Sequence, residues 1–120
     1  MRDYKNLEIW RIAKDICLSV YRFTMSFPRE EIYGLTSQMR RASVSIASNI
    51  SEGCGRSTDK DFISFLHNSM GSLKEVECQT IIAFELGFIS KDKYNEIMEE
   101  FDKLGRKLFL FIRGIKEFEK

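Results

Sequence analysis

Residues 34–53 read GLTSQMRRASVSIASNISEG. Leu35, Met39, Ala42, Ile46 and Ile50 recur at steps of four and three, which lines one face of an α-helix. Between them stand Ser and Ala, where an ordinary bundle helix carries Leu and Ile. Small side chains let helix axes approach one another. The few polar residues of this stretch, Arg40, Arg41, Asn49 and Glu52, therefore stand out. The pattern predicts a helix from about Leu35 to Glu52, with Val44 on a separate face for a further helix or another subunit. Gly53-Cys54-Gly55 is expected to end it, since glycine takes the left-handed terminal conformation freely.

Three more helices extend outward from this one. Upstream, Ile9, Ala13, Ile16, Val20, Phe23 and Phe27 form one stripe, widened by Trp10, Cys17 and Tyr21. This predicts a helix from about Leu7 to Ser26, capped by Asn6 and closed by Phe27-Pro28. Glu30, Glu31 and Ile32 suit a single turn before the next helix. Downstream, Thr58 caps a run in which Phe62, Leu66, Ser69, Leu73, Val76, Thr80, Ala83 and Gly87 alternate by four and three. About 28 residues at 1.5 Å each span roughly 42 Å. Gly87 stops that helix. Ser90 caps the last, whose stripe is Ile97, Phe101, Leu104, Leu108, Phe111, Ile115 and Phe118. Loops this short make consecutive helices antiparallel neighbours. The fold class is all-α, an antiparallel up-down-up-down four-helix bundle in one domain spanning 1–120.

Composition narrows the function. The chain has 120 residues, 43% of them apolar, with ten Phe, seven Gly and one Pro. An all-β domain normally needs more turn residues. No apolar run is long enough for a membrane span, and the charged start MRDYKNLEIWR lacks a signal-type apolar region, so a cytoplasmic protein is expected. Cys17, Cys54 and Cys78 lie far apart, with no zinc or redox spacing. Cys17 and Cys78 fall in apolar patterns and read as core residues; Cys54, near a helix end, reads as more exposed. Di-iron bundles need Glu-x-x-His pairs on two helices. The one histidine, His67, is preceded three residues earlier by Ser64, so no metal site, cofactor or catalytic set is expected, and the chain reads as a non-enzyme.

The net charge of +1 hides segregation. Residues 1–29 carry six basic and three acidic groups, and residues 101–120 carry the same; residues 30–100 carry seven and twelve. If the first and last helices pack side by side, a nearly neutral chain still presents a basic surface. Candidate contacts to nucleic acid are Arg11, Lys14 and Arg22 near the start and Lys103, Arg106, Lys107 and Arg113 near the end, with Arg2, Lys5 and Lys116 as outlying members. Solvated helix faces are the plain alternative. The third and fourth helices also carry more apolar surface than one seam uses: Phe109, Leu110 and Ile112, with Ile63, Phe65, Met70, Ile81, Ile82 and Phe84. One bundle face is therefore expected to be buried against other copies, with an unusually broad core as the alternative.

The stretches NLEIWRIAKDICLSVYRFTMSFP, EEIYGLTSQMRRASVSIASNISEGCGR and FLHNSMGSLKEVE together resemble the four-helix bundle proteins first noticed as open reading frames in intervening sequences of bacterial 23S rRNA genes. The resemblance covers nearly the whole chain and is most specific at Gly34–Gly53 and at Gly71-Ser72-Leu73-Lys74-Glu75. It implies a homo-oligomer, with a pentameric barrel as the assembly. A related branch is the accessory protein of diversity-generating retroelements, which works beside a reverse transcriptase and binds nucleic acid through a basic oligomer surface. The implied partners are other copies of the chain, RNA or DNA, and a possible protein partner.

Within helix 2, Arg40 and Arg41 point about 100° apart. Both are candidate phosphate contacts, because the guanidinium fork suits phosphate oxygens. One of them is expected to pair instead with a carboxylate of helix 3, such as Glu75 or Glu77. Asn49 and Glu52 share a face, and one of them is expected to reach helix 3 near Gly71-Ser72. There a mid-helix glycine suggests close approach by a neighbour. Asn49, Glu52, Gly71, Ser72 and Glu75 thus form a candidate structural network. With no aromatic platform of the RNA-recognition type, binding by shape and charge is expected, without base readout.

Overall fold

A computed structural model describes residues 2–118 of the chain, except the side chain of Phe118, the last member of the expected stripe. Four helices follow one another: α1 Glu8–Thr24, α2 Leu35–Cys54, α3 Asp59–Glu85 and α4 Lys91–Phe118. Single 3-10 turns occupy Tyr4–Asn6 and Arg29–Glu31. The helices stand at the corners of a square in the order α1–α2–α3–α4, so that α1 also meets α4. Cross-contacts fix the directions. Ser43 meets Cys17 and Arg40 meets Thr24 across α1–α2. Ser72 meets Ser45 and Gly53 faces Phe62 across α2–α3. Phe62 meets Phe111 and Phe84 meets Tyr94 across α3–α4. Every neighbouring pair runs antiparallel.

The stripes meet in one core. Ile16, Met39, Ile46, Phe62, Leu66, Phe101, Leu104 and Leu108 are wholly buried. Burying a side chain of this size stabilises by about 1.5–3 kcal/mol relative to exposure. The core is broader than a single seam. Ile112 is buried, and Ile63, Met70 and Phe111 pack half-buried against it. Phe109 and Leu110 remain about 60% exposed.

Several ends follow local chemistry. The Thr58 hydroxyl accepts the Asp61 N–H at 3.1 Å, and Ser90 accepts the Lys93 N–H at 3.2 Å. Gly87, at φ +83°, lets Gly87 and Phe88 donate back to the Phe84 and Ala83 carbonyls, the Schellman arrangement. Other ends differ from expectation. Asn6 does not cap α1; it lies in the first 3-10 turn, which Asp3 caps through the Lys5 N–H. Helix α1 stops at Thr24, where the hydroxyls of Thr24 and Ser26 bond to the Val20 and Phe23 carbonyls. Gly53 does not terminate α2 by a left-handed turn. It is helical and buried, and a Cβ there would lie 2.8 Å from Phe62 Cδ1 and 2.9 Å from Phe65 Cβ. Gly71 is the reverse case: nothing comes within 4 Å of a Cβ there, so no neighbour approaches it closely. The cysteines also exchange roles. Cys54 is buried, Cys78 is exposed and Cys17 lies between. Cys54 faces inward at the last turn of α2, and burial pushes its thiol pKa up.

Candidate nucleic-acid interface

The basic residues of α1 have different surroundings. Arg11 donates from Nε to the Lys5 carbonyl at 2.9 Å, clamping the first turn to the helix. Lys14 stands 5.7 Å above the Trp10 ring centre and 3.7 Å from Asp15. Arg22 is exposed, with no ion pair among the described residues. Lys107 joins α4 to α1 through Glu8 at 3.0 Å. The first and last helices are therefore neighbours, and Glu8 offsets one of their cations.

The other cations of α4 gather on its second half. From Lys91 to Asp102 the helix carries two basic and five acidic residues; from Lys103 to Glu117 it carries five basic and one acidic. That order also suits the helix dipole, which favours cations near the C-terminus. Lys103 and Arg106 are exposed. Arg113 pairs with Glu117 at 3.0 Å, an exposed i,i+4 contact of the kind worth about 0.3–0.5 kcal/mol. Arg106 and Arg113 rim a groove between α3 and α4, floored by Met70, Phe109 and Leu110. Lys74, His67 and Lys116 join the rim, and Asp102 is its acidic member. The apolar periodicity of α3 and α4 pointed to this surplus surface, but their separate patterns did not reveal that cations border it.

Helix α2 turns one arginine inward and one outward. Arg40 donates to Thr24 Oγ1 at 2.9 Å and to the Tyr21 carbonyl at 3.4 Å, with its guanidinium 4.9 Å from the Tyr21 ring centre. The expected carboxylate of α3 is thus replaced by a hydroxyl, a carbonyl and an aromatic face of α1. Glu77 pairs with Lys74 instead. Arg41 is exposed and lines a second groove, between α2 and α3, together with Glu75.

Neither Asn49 nor Glu52 reaches α3 directly. Asn49 Nδ2 donates to the Ser45 carbonyl at 2.8 Å and to Ser45 Oγ at 3.0 Å. The Ser72 hydroxyl bonds to Ser45 Oγ at 2.9 Å across the seam. Glu52 pairs with Arg56 on its own helix end at 3.3 Å. A second bridge links Ser69 Oγ to the Ile46 carbonyl at 2.8 Å, fully buried. Ser45 and Ser69, which sequence reasoning passed over, are therefore the bridging residues. Ser69 and Ser72, one turn apart among the large apolar residues of α3, were the available signal.

The model of the 23S rRNA-intervening sequence protein family matches residues 5–109. The chain belongs to the 23S rRNA-intervening sequence protein family. Among solved structures, this family member is similar to a protein of unknown function from the S23 ribosomal protein family of Bacteroides thetaiotaomicron VPI-5482, with a TM-score of 0.78. The two share 19% identity over 87% of this chain and 97% of the other, a likeness of fold. No curated protein matches it. Among the described residues of this family member, no helix is long and apolar enough to cross a membrane, and no His, Cys, Asp and Glu group is arranged to hold a metal ion.

Proposed function

We propose that this protein is a non-enzymatic, cytoplasmic homo-oligomer that binds structured RNA, or another nucleic acid, through basic side chains repeated by the assembly. The observation that carries this reading is the basic second half of α4 beside exposed Phe109 and Leu110. Burial of the apolar floor between copies would bring the cations at its rim to every junction. Exposed apolar side chains also stand on the opposite edge, at Leu18, Tyr21 and Val44 of α1 and α2. Two different patches on opposite edges favour head-to-tail contacts, which form a ring when the rotation between copies closes, and the family resemblance favours five copies. Phosphate affinity rises steeply with the number of contacts, so weak patches act together.

The test is binding to a structured RNA and to duplex DNA at two salt concentrations, with sedimentation of the same samples. Salt-dependent binding that is lost in the Arg106→Ala, Lys107→Ala, Arg113→Ala triple variant supports the proposal. A single subunit at micromolar concentration, or no binding at low salt, sinks it. A second reading is a protein scaffold, such as a reverse-transcriptase accessory. The apolar floor and cationic rim of the α3–α4 groove favour it, since an acidic amphipathic helix fits such a surface. Oligomers that ignore RNA but hold an acidic amphipathic peptide would select that reading.

A further inference from the structure

We propose that the groove between α2 and α3 is a pocket for an unpaired guanine base. The inference rests on the nucleic-acid reading for its biological ligand, but the pocket is argued from its own side chains. The groove is about 450 Å³, within the usual size range of small-ligand sites. Small residues make room for it: Ala42 and Ser45 form its α2 wall, where a larger residue would fill the space. The Ser45 hydroxyl is already held by Asn49 and Ser72, which fixes that wall.

Four larger polar side chains line the same groove: Tyr33, Gln38, Arg41 and Glu75. Among the described residues, none of the four makes a side-chain hydrogen bond or ion pair. Arg41 and Glu75, of opposite charge, border one space without closing on each other. Their hydrogen-bonding capacity is therefore available to a ligand with adjacent donors and acceptors. Guanine offers that order. Its N1–H and N2–H donors lie side by side on one edge and match the two oxygens of a carboxylate such as Glu75. Its O6 and N7 acceptors lie on the next edge and match the fork of a guanidinium such as Arg41. Adenine, cytosine and uracil each lack the paired donors. Tyr33, 94% exposed in the turn just before α2, supplies a face for base stacking. It is an aromatic platform of a different kind from the RNA-recognition type absent from the sequence. Bases reach such sites only when unpaired, as in loops and bulges.

Two titrations of the full chain test this. The first uses GMP, AMP, CMP and UMP, followed by NMR shifts. The second uses hairpin RNAs with one stem and a single loop position set to G, A, C or U. GMP is expected to bind at least about tenfold more tightly than AMP, the scale of one well-placed polar pair. Glu75→Gln is expected to lower affinity for the G-loop hairpin to that of the A, C and U loops, whose own salt-dependent binding Glu75 does not touch. Tyr33→Ala is expected to weaken all four mononucleotides. Both substitutions lie on exposed residues, and unchanged circular dichroism verifies the fold. Equal affinity for the four mononucleotides overturns the pocket, as does a guanine preference that survives Glu75→Gln. Salt-dependent hairpin binding without base preference sinks the pocket and leaves the polyanion reading standing. GMP selectivity without hairpin binding upholds the pocket and removes the RNA reading.

Discussion

Helix α3 has two neighbours and meets them by different means. Toward α2 the seam is tight and stapled. Gly53 admits the Phe62 ring, Ser69 bonds to the Ile46 carbonyl, and Ser72 meets Ser45. Toward α4 the seam is made of large side chains and opens at the surface into a groove over Met70, Phe109 and Leu110. Small residues with fixed hydrogen bonds leave few alternative packings. Bulky residues leave space that another molecule can use. One seam holds the register of the bundle and the other faces outward.

Overpacking the tight seam should have the largest effect. Gly53→Val places carbon where Phe62 and Phe65 already sit, and a loss of about 3 kcal/mol is expected in urea unfolding. A near-neutral result would mean that the α2–α3 seam is as yielding as the other. Next comes the open seam. Phe109→Ser with Leu110→Ser removes two side chains exposed on the single subunit, so sedimentation should shift to smaller species that keep native helical circular dichroism. Loss of helical structure in the variant would place these side chains in the core instead.

Ser69→Ala deletes one buried hydrogen bond at the tight seam. Its expected cost is about 1 kcal/mol, with the Ile46 carbonyl keeping its helical partner. Gly71→Ala probes the same helix where no neighbour stands. Helix propensity alone should then stabilise the protein by up to about 1 kcal/mol. If Gly53 and Gly71 respond alike to added carbon, the two glycines are packed alike and Gly53 is no socket. The smallest expected effect concerns thiols. A maleimide should label exposed Cys78 quickly and buried Cys54 only on unfolding. Burial raises the Cys54 pKa, so raising the pH through the ordinary thiol range should still leave Cys54 unlabelled in the folded protein.

The helices were legible because their signals are repeated and local. Apolar residues at four and three recur through each helix, and Thr58, Ser90 and Gly87 act on their own next turn. The misread positions depend on what lies across a seam. Gly53 resembles a helix stop in sequence and serves as a socket for Phe62. Cys54 does end the helix, but its side chain is turned inward and buried. Arg40 has no local cue for Thr24, sixteen residues away on α1. At the candidate interface, the basic residues of α4 were visible as a charge run, while their place at the rim of an apolar groove was not. The grouping of Tyr33 with Glu75 required the α2–α3 register, which single-chain periodicity does not supply.

The connection Gly55–Ser57, which is exposed, joins the two helices that need it least. If proteolytic scission fell there, the separated fragments would still share their glycine socket and serine bridges, and would be suited to reassociate. Scission at Gly87 would instead release a fragment whose longest contact is the looser one. The surface loop before α3 is thus the natural place to divide this molecule into two complementing halves.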